Sequence, residues 1–251
     1  MNDLNPFTTV VDPSANIIYP SGDGKPMAET SVHVLAMLAL IGTLRQHFHQ
    51  RSDVYVIGNI FLYYEEGHPE SRRSPDVMVV KGVDPHKDRR SFKTWEERAM
   101  PCVVIEITSE ETAEEDLGPK RDLYERLGVR EYFLFDPLHD YLERPLMGYR
   151  LIGDEYEPLP PAADGGLLSA ELGMRLVPEG TQLALYHFRT GQRVLAPPEV
   201  YQKLEDVQQQ KSQAEQRASQ AEQRASQLTE ELARLRALLP PEQGGTASPQ
   251  E

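Results

Sequence analysis

The sequence predicts an α/β (α+β) protein extended by one long C-terminal helix. Three observations carry this prediction. Short, nearly all-apolar runs at 74–80, 103–108 and 131–135 have the length and composition of buried strands. Stretches at 27–48 and 117–127 carry apolar residues at helical spacing, one ahead of these strands and one between the last two. Beyond Pro197-Pro198, apolar residues recur in alternating steps of four and three.

In chain order, residues 1–24 mix Pro, Asn, Ser, Gly and Asp without periodicity and read as an irregular arm. From Met27 to Phe48, Val32, Leu35, Ala36, Leu38, Ala39, Leu40 and Leu44 define a first core helix. Glu29 and His33 lie four residues apart on one of its faces. An acid such as Glu29 suits a helix N-terminus through the macrodipole, and His33 reads as a boundary residue. Short strands follow at 53–57 and 60–64, broken at Gly58-Asn59. After the run at 74–80 comes a polar connection, 83–100, whose Trp95 anchors a loop or short helix. The run at 103–108 is followed by acids at 110–116, with Asp116 read as N-cap of the helix 117–127 and Gly128 as its stop. On that reading Lys120 falls in a first turn, where a cation opposes the dipole, so its placement needs another reason. Tyr124 lies one turn further along the same face. Past Asp136-Pro137, segments at 141–143, 148–152, 156–159, 174–177, 183–188 and 193–195 suggest a meander of short strands.

The C-terminal seam runs through Val200, Leu204, Val207, Lys211, Ala214, Ala218, Ala221, Ala225, Leu228, Leu232, Leu235 and Leu239. Residues 214–220 recur unchanged as 221–227. A lone Ala-rich helix produced by repeat expansion is one reading. The return of leucines at both ends of the seam favours a coiled coil over 199–239, and with it a homo-oligomer. Pro240-Pro241 stops the helix, leaving 240–251 as a disordered tail.

Composition narrows the function. The low hydrophobic content, 39% of 251 residues, reflects this polar C-terminal repeat. The single cysteine, Cys102, sits in an apolar run and reads as core. No stretch has the length and apolarity of a membrane span, the N-terminus lacks a signal-peptide layout, and a cytoplasmic location is the default expectation. A net charge of −14 counts against tight non-specific binding to nucleic acid, which depends on Lys and Arg neutralising phosphates. Local basic clusters nonetheless occur at Arg72-Arg73 and across 87–93, including Arg89-Arg90. Each reads either as solvated surface charge or as a phosphate contact. No glycine-rich phosphate loop points to a nucleotide-binding protein.

The chemistry lies in two of the apolar runs, each of which carries one acid: Asp76 after Pro75, and Glu106 between Ile105 and Ile107. Taken singly, Asp76 is a turn residue and Glu106 a salt-bridged strand residue. Together they suggest a metal site, since hard divalent cations take carboxylate oxygens that rigid strands place reproducibly.

The ordered set Pro75-Asp76, Glu106-Ile107-Thr108-Ser109, Asp116 with Lys120 and Tyr124, 128–132 and Asp136-Pro137 resembles the PD-(D/E)XK nuclease core, and more closely the Uma-two family of restriction-endonuclease-like proteins. The resemblance spans 25–198. It implies a restriction-endonuclease-like domain, a central mixed sheet flanked by helices, that hydrolyses phosphodiester bonds in DNA with Mg2+, Mn2+ being able to substitute. It further implies that Asp76, Glu106 and the backbone carbonyl of Ile107 hold the metal. In that family the region before the Glu strand can form a loop over a substrate channel, and the first helix often adds an acid, for which Glu29 is the match. One departure stands out: the superfamily places a lysine two residues after the glutamate, where this chain has Thr108, whose hydroxyl carries no charge. The Uma-two pattern implies that Lys120, from the following helix, takes its place. The competing expectation is a catalytically silent nuclease fold that binds or scaffolds, assembled through its C-terminal helix.

Overall fold

A computed structural model describes residues 10–11, 17–22 and 30–238. Glu29, Met27, Leu239, Pro240-Pro241, the tail and most of the 1–24 arm lie outside the described residues. The chain divides into two compact units, Met1–Pro197 and Pro198–Glu251.

The described elements of the first unit begin with a two-stranded ribbon, β1 (Val10–Val11) with β2 (Ile18–Tyr19). Helix α1 (Ser31–His47) follows, capped by Thr30, whose Oγ1 accepts from the His33 N–H at 3.2 Å. Next come β3 (Val54–Ile57), β4 (Leu62–Tyr63), β5 (Arg72–Arg73), β6 (Val77–Lys81) and β7 (Phe92–Lys93). The short helix α2 (Thr94–Glu97) contains Trp95, whose ring lies 5.3 Å from that of Tyr19. Strand β8 (Pro101–Ile107) leads into a helical run over 113–126, then β9 (Glu131–Phe135), β10 (Leu146–Ile152) and β11 (Glu155–Pro158). Strands β12 (Leu167–Ser169), β13 (Met174–Glu179), β14 (Gln182–His187) and β15 (Arg193–Val194) complete the unit.

The central sheet has the order β11-β10-β9-β8-β6-β3, parallel between β8 and β9 and antiparallel elsewhere, so it is mixed. Its central strands β6, β8 and β9 are buried on both faces, which explains their unbroken apolar character. One face packs Val77, Val79, Val103, Ile105 and Phe133 against Ala36, Met37, Leu40 and Leu44 of α1 and against the sheet β12-β13-β14-β15. The other packs Met78, Val80, Val104, Tyr132 and Leu134 against Tyr124 and Leu117 of the 113–126 run. Alternation along β8 therefore sends the Glu106 side chain to this second face, while Asp76 sits just ahead of β6 at the end of the sheet.

Three sequence expectations change. The segment 141–143 is not a strand: the Asp136 carboxylate accepts N–H bonds from Leu138, His139, Tyr141 and Leu142 and holds an irregular loop there. Asp116 is not an N-cap, because the helical run begins at Ala113 and Asp116 opens a π-helical turn, Asp116–Lys120, inside it. That turn contains Pro119, which lacks the N–H an α-helix interior needs, and a widened turn accommodates it. Lys120 consequently lies beyond the first turn, where its charge does not oppose the helix dipole. Finally, Arg89 and Lys93 belong to the fold rather than to a solvated basic surface. Arg89 pairs with Glu97 at 2.9 Å and stacks 4.4 Å from the Tyr55 ring centroid; Lys93 pairs with Glu96 at 2.7 Å.

The described residues of the second unit lie in one helix, which runs from Pro197 to Leu238. Tyr201, Leu204, Val207 and Leu228 are exposed along it.

Candidate active site

Asp76 ends the turn leading into β6, and Glu106 sits near the end of its neighbour β8. Each carboxylate is tied to the other's strand. The Asp76 N–H donates to Glu106 Oε2 at 3.1 Å, and the Ile107 N–H donates to Asp76 Oδ2 at 2.7 Å. The two acids therefore converge at one end of the sheet. Ile107 turns its N–H toward Asp76, and since a strand residue's N–H and C=O share an edge, its carbonyl lies on that side as well.

Gly58 makes this approach possible. A Cβ at that position would lie 1.7 Å from the Asp76 carbonyl oxygen, and the adjacent Asn59 N–H donates to Pro75 O at 2.8 Å. What reads in sequence as a break between strands is where two backbones meet beneath the catalytic candidate.

Glu106 is fully buried, and its Oε1 accepts from the Tyr124 hydroxyl at 3.0 Å. Lys120 reaches the same oxygen at 3.4 Å and Asp116 Oδ1 at 2.8 Å. Asp116 is itself buried and is held by the Thr112 hydroxyl at 2.8 Å. The 113–126 run thus delivers Asp116, Lys120 and Tyr124 to the acids of the sheet. From α1, His33 Nε2 comes within 3.3 Å of Asp76 Oδ1. In sequence His33 reads as a boundary residue, although it shares the core-facing stripe of Ala36, Met37 and Leu40, the one signal that points inward. Thr108 is buried, with no hydrogen-bond partner for its Oγ1 among the described residues. Nothing places Arg72 or Arg73 at the acids: the Arg72 guanidinium lies 4.8 Å from the Phe61 ring centroid, and Arg73 is 3.6 Å from Glu115.

Burial pushes the Glu106 carboxyl up to about 8, against the pull of Lys120 and with a further push from Asp76 and Asp116. Burial also works against the Lys120 ammonium, yet Glu106, Asp116 and Asp76 raise its proton affinity above the ordinary lysine range. Of its two acid contacts the ammonium lies closer to Asp116 than to Glu106. Burial and then Glu106 raise the Tyr124 phenol well above its usual range, so it remains a donor.

These residues fit a hard divalent cation. Magnesium is commonly held by one or two carboxylates, leaving its other positions to water and phosphate. Asp76, Glu106 and the Ile107 carbonyl are oxygen donors of that kind. Among the described residues no group of three or more His, Cys, Asp and Glu side chains is arranged to hold an ion, so the fit is to two carboxylates and not to an all-protein cage.

The family model of Uma2, described as "Putative restriction endonuclease", matches residues 11–185, well over half of the chain. The chain belongs to the Uma2 family. No curated protein matches it. Among solved structures, it is similar to "a putative nuclease belonging to DUF820" from Anabaena variabilis, at 13% identity and a TM-score of 0.41, over 63% of this chain and 80% of that one. The Uma2 model takes in Asp76, Glu106, Ile107, Thr108, Asp116, Lys120 and Tyr124 and stops short of the C-terminal helix.

Proposed function

We propose that this Uma2 protein is a magnesium-dependent endonuclease that hydrolyses phosphodiester bonds in DNA, with Mn2+ able to substitute for Mg2+. The observation that carries the reading is the convergence of Asp76 and Glu106 from neighbouring strands onto one buried cluster that also contains Lys120. Asp76, Glu106 and the Ile107 carbonyl would hold the cation. When bound, the ion supplies Lewis acidity toward the phosphoryl oxygens and lowers the pKa of attacking water. The protein's own residues do the rest. Tyr124 fixes the Glu106 carboxylate through its hydroxyl, and Asp116 holds the Lys120 ammonium at the acid cluster. From there Lys120 orients the attacking water or compensates charge that develops on the phosphate, the work of the lysine absent at Thr108. We further propose that residues 25–198 form the nuclease domain and that 199–239 form a coiled coil joining it to a second copy.

A second reading, a binding or scaffolding module without turnover, draws on one observation: the acids are already compensated by Lys120, Tyr124 and backbone N–H groups. Plasmid DNA incubated with the full chain separates the two. The nuclease reading expects nicking or linearisation with Mg2+ or Mn2+, none with chelator, and loss of at least a hundredfold in Asp76→Ala. Cleavage by Asp76→Ala at the wild-type rate, or no cleavage with either ion, contradicts it.

A further inference from the structure

The first turn of α1 brings a histidine to the Asp76 carboxylate, and three features set this contact apart from packing. His33 is 5% exposed and shares its helix stripe with Ala36, Met37, Leu40 and Leu44, a setting in which an imidazole costs free energy unless a polar partner compensates. Its position is fixed at both ends of the helix. Thr30 caps its own N–H, and near the C-terminal end the Arg45 Nε donates to Val56 O at 2.9 Å, tying α1 to strand β3. Lastly, Asp76 is constrained everywhere else: its N–H is taken by Glu106, its Oδ2 by Ile107, and its backbone lies against Gly58. His33 Nε2, 3.3 Å away, faces the remaining carboxylate oxygen, Oδ1.

We propose that His33 is a positioning residue that acts through Asp76. Its Nε2 sets the orientation of Oδ1, so that Asp76 presents a fixed oxygen to a divalent cation. The 3.3 Å separation is longer than the ~2.7–2.9 Å of a charge-assisted hydrogen bond, and the ring nitrogen faces Oδ1 without a hydrogen bond to it, so it acts as a close polar wall against which the carboxylate is set. This inference rests on the reading of Asp76 as a metal ligand and adds the helix that aims it.

The test is calorimetric titration of the full chain with Mn2+, comparing wild type, His33→Leu, His33→Gln, His33→Asn and Asp76→Ala, each with its melting temperature. Partners that orient a ligand typically contribute ~10–100-fold in metal affinity. His33→Leu, which keeps volume and loses the polar ring nitrogen, should weaken Mn2+ binding by that factor. His33→Gln, whose amide reaches about as far as Nε2, should recover most of it, and the shorter His33→Asn should not. Should His33→Leu fail to fold, the Gln and Asn pair still decides. Wild-type Mn2+ affinity in His33→Leu or His33→Asn, with binding lost in Asp76→Ala, overturns the positioning role alone. Undiminished binding in Asp76→Ala is a different result and overturns the metal centre itself.

Discussion

Glu106 is fully buried beside Asp76 and Asp116, which ties the stability of the fold to protons. Its carboxyl titrates near 4.5 when the chain is unfolded and near 8 in the fold. Between those values the folded chain binds more protons than the unfolded one, so stability is fully present below the lower value and is lost as pH rises toward the upper one. Each pH unit of that window is worth about 1.4 kcal/mol, or roughly 3–5 °C in the melting temperature of a domain this size. Thermal melts in chelating buffer should therefore decline from about pH 4.5 to about pH 8. Glu106→Gln should flatten the decline, and a divalent cation should protect more at the upper end, where it replaces the proton. A wild-type melting temperature that is level across the window contradicts this account of Glu106. At this scale much of the candidate site is legible, because an acid inside an apolar strand, as Glu106 is, or directly ahead of one, as Asp76 is, announces itself. His33 is not, since a histidine on a helix stripe is equally consistent with packing, and only the Asp76 contact distinguishes the two cases.

Among the elements, the central strands could be read because burial on both faces leaves an apolar run that has no other use. The helical run over 113–126 was misplaced at its start. Asp116 and Pro119 are ordinary helix-opening residues, and a π-helical turn around an interior proline has no local signature that separates it from a cap. Strand β12 was missed because its three residues are too few to show a period. Gly58 was read as a strand break, whereas its role is a close tertiary approach to the Asp76 backbone. Gly58→Ala should force β3 and β6 apart and cost about 1–3 kcal/mol or more, as overpacking does. Because the displaced atoms belong to Asp76, Mn2+ affinity should fall as well. A variant with wild-type melting temperature and metal affinity would show that the strands yield without moving the acid.

For the whole molecule, the C-terminal helix of 42 residues spans about 60 Å at ~1.5 Å per residue, with Leu204, Val207 and Leu228 exposed along it. A second copy would cover that seam, so light scattering at micromolar concentration should report at least a dimer, and truncation after Pro198 should lower the oligomeric state while leaving the domain folded. A monomeric full chain contradicts the coiled coil. The activity proposed for the molecule turns on Lys120, which reaches Glu106 from another element and on that proposal would stand in for the lysine absent at Thr108. Its removal also leaves Asp116 and Glu106 without their cation, so Lys120→Ala should melt lower than wild type as well as react more slowly. The most direct measurement is the rate of Mg2+-dependent plasmid cleavage by wild type, Lys120→Ala and the double variant Thr108→Lys with Lys120→Ala, assayed well below their melting temperatures. The account predicts a fall of ~10²–10³ in Lys120→Ala, the usual cost of losing one such electrostatic contact, with part of the rate restored in the double variant. Cleavage by Lys120→Ala at the wild-type rate would contradict it.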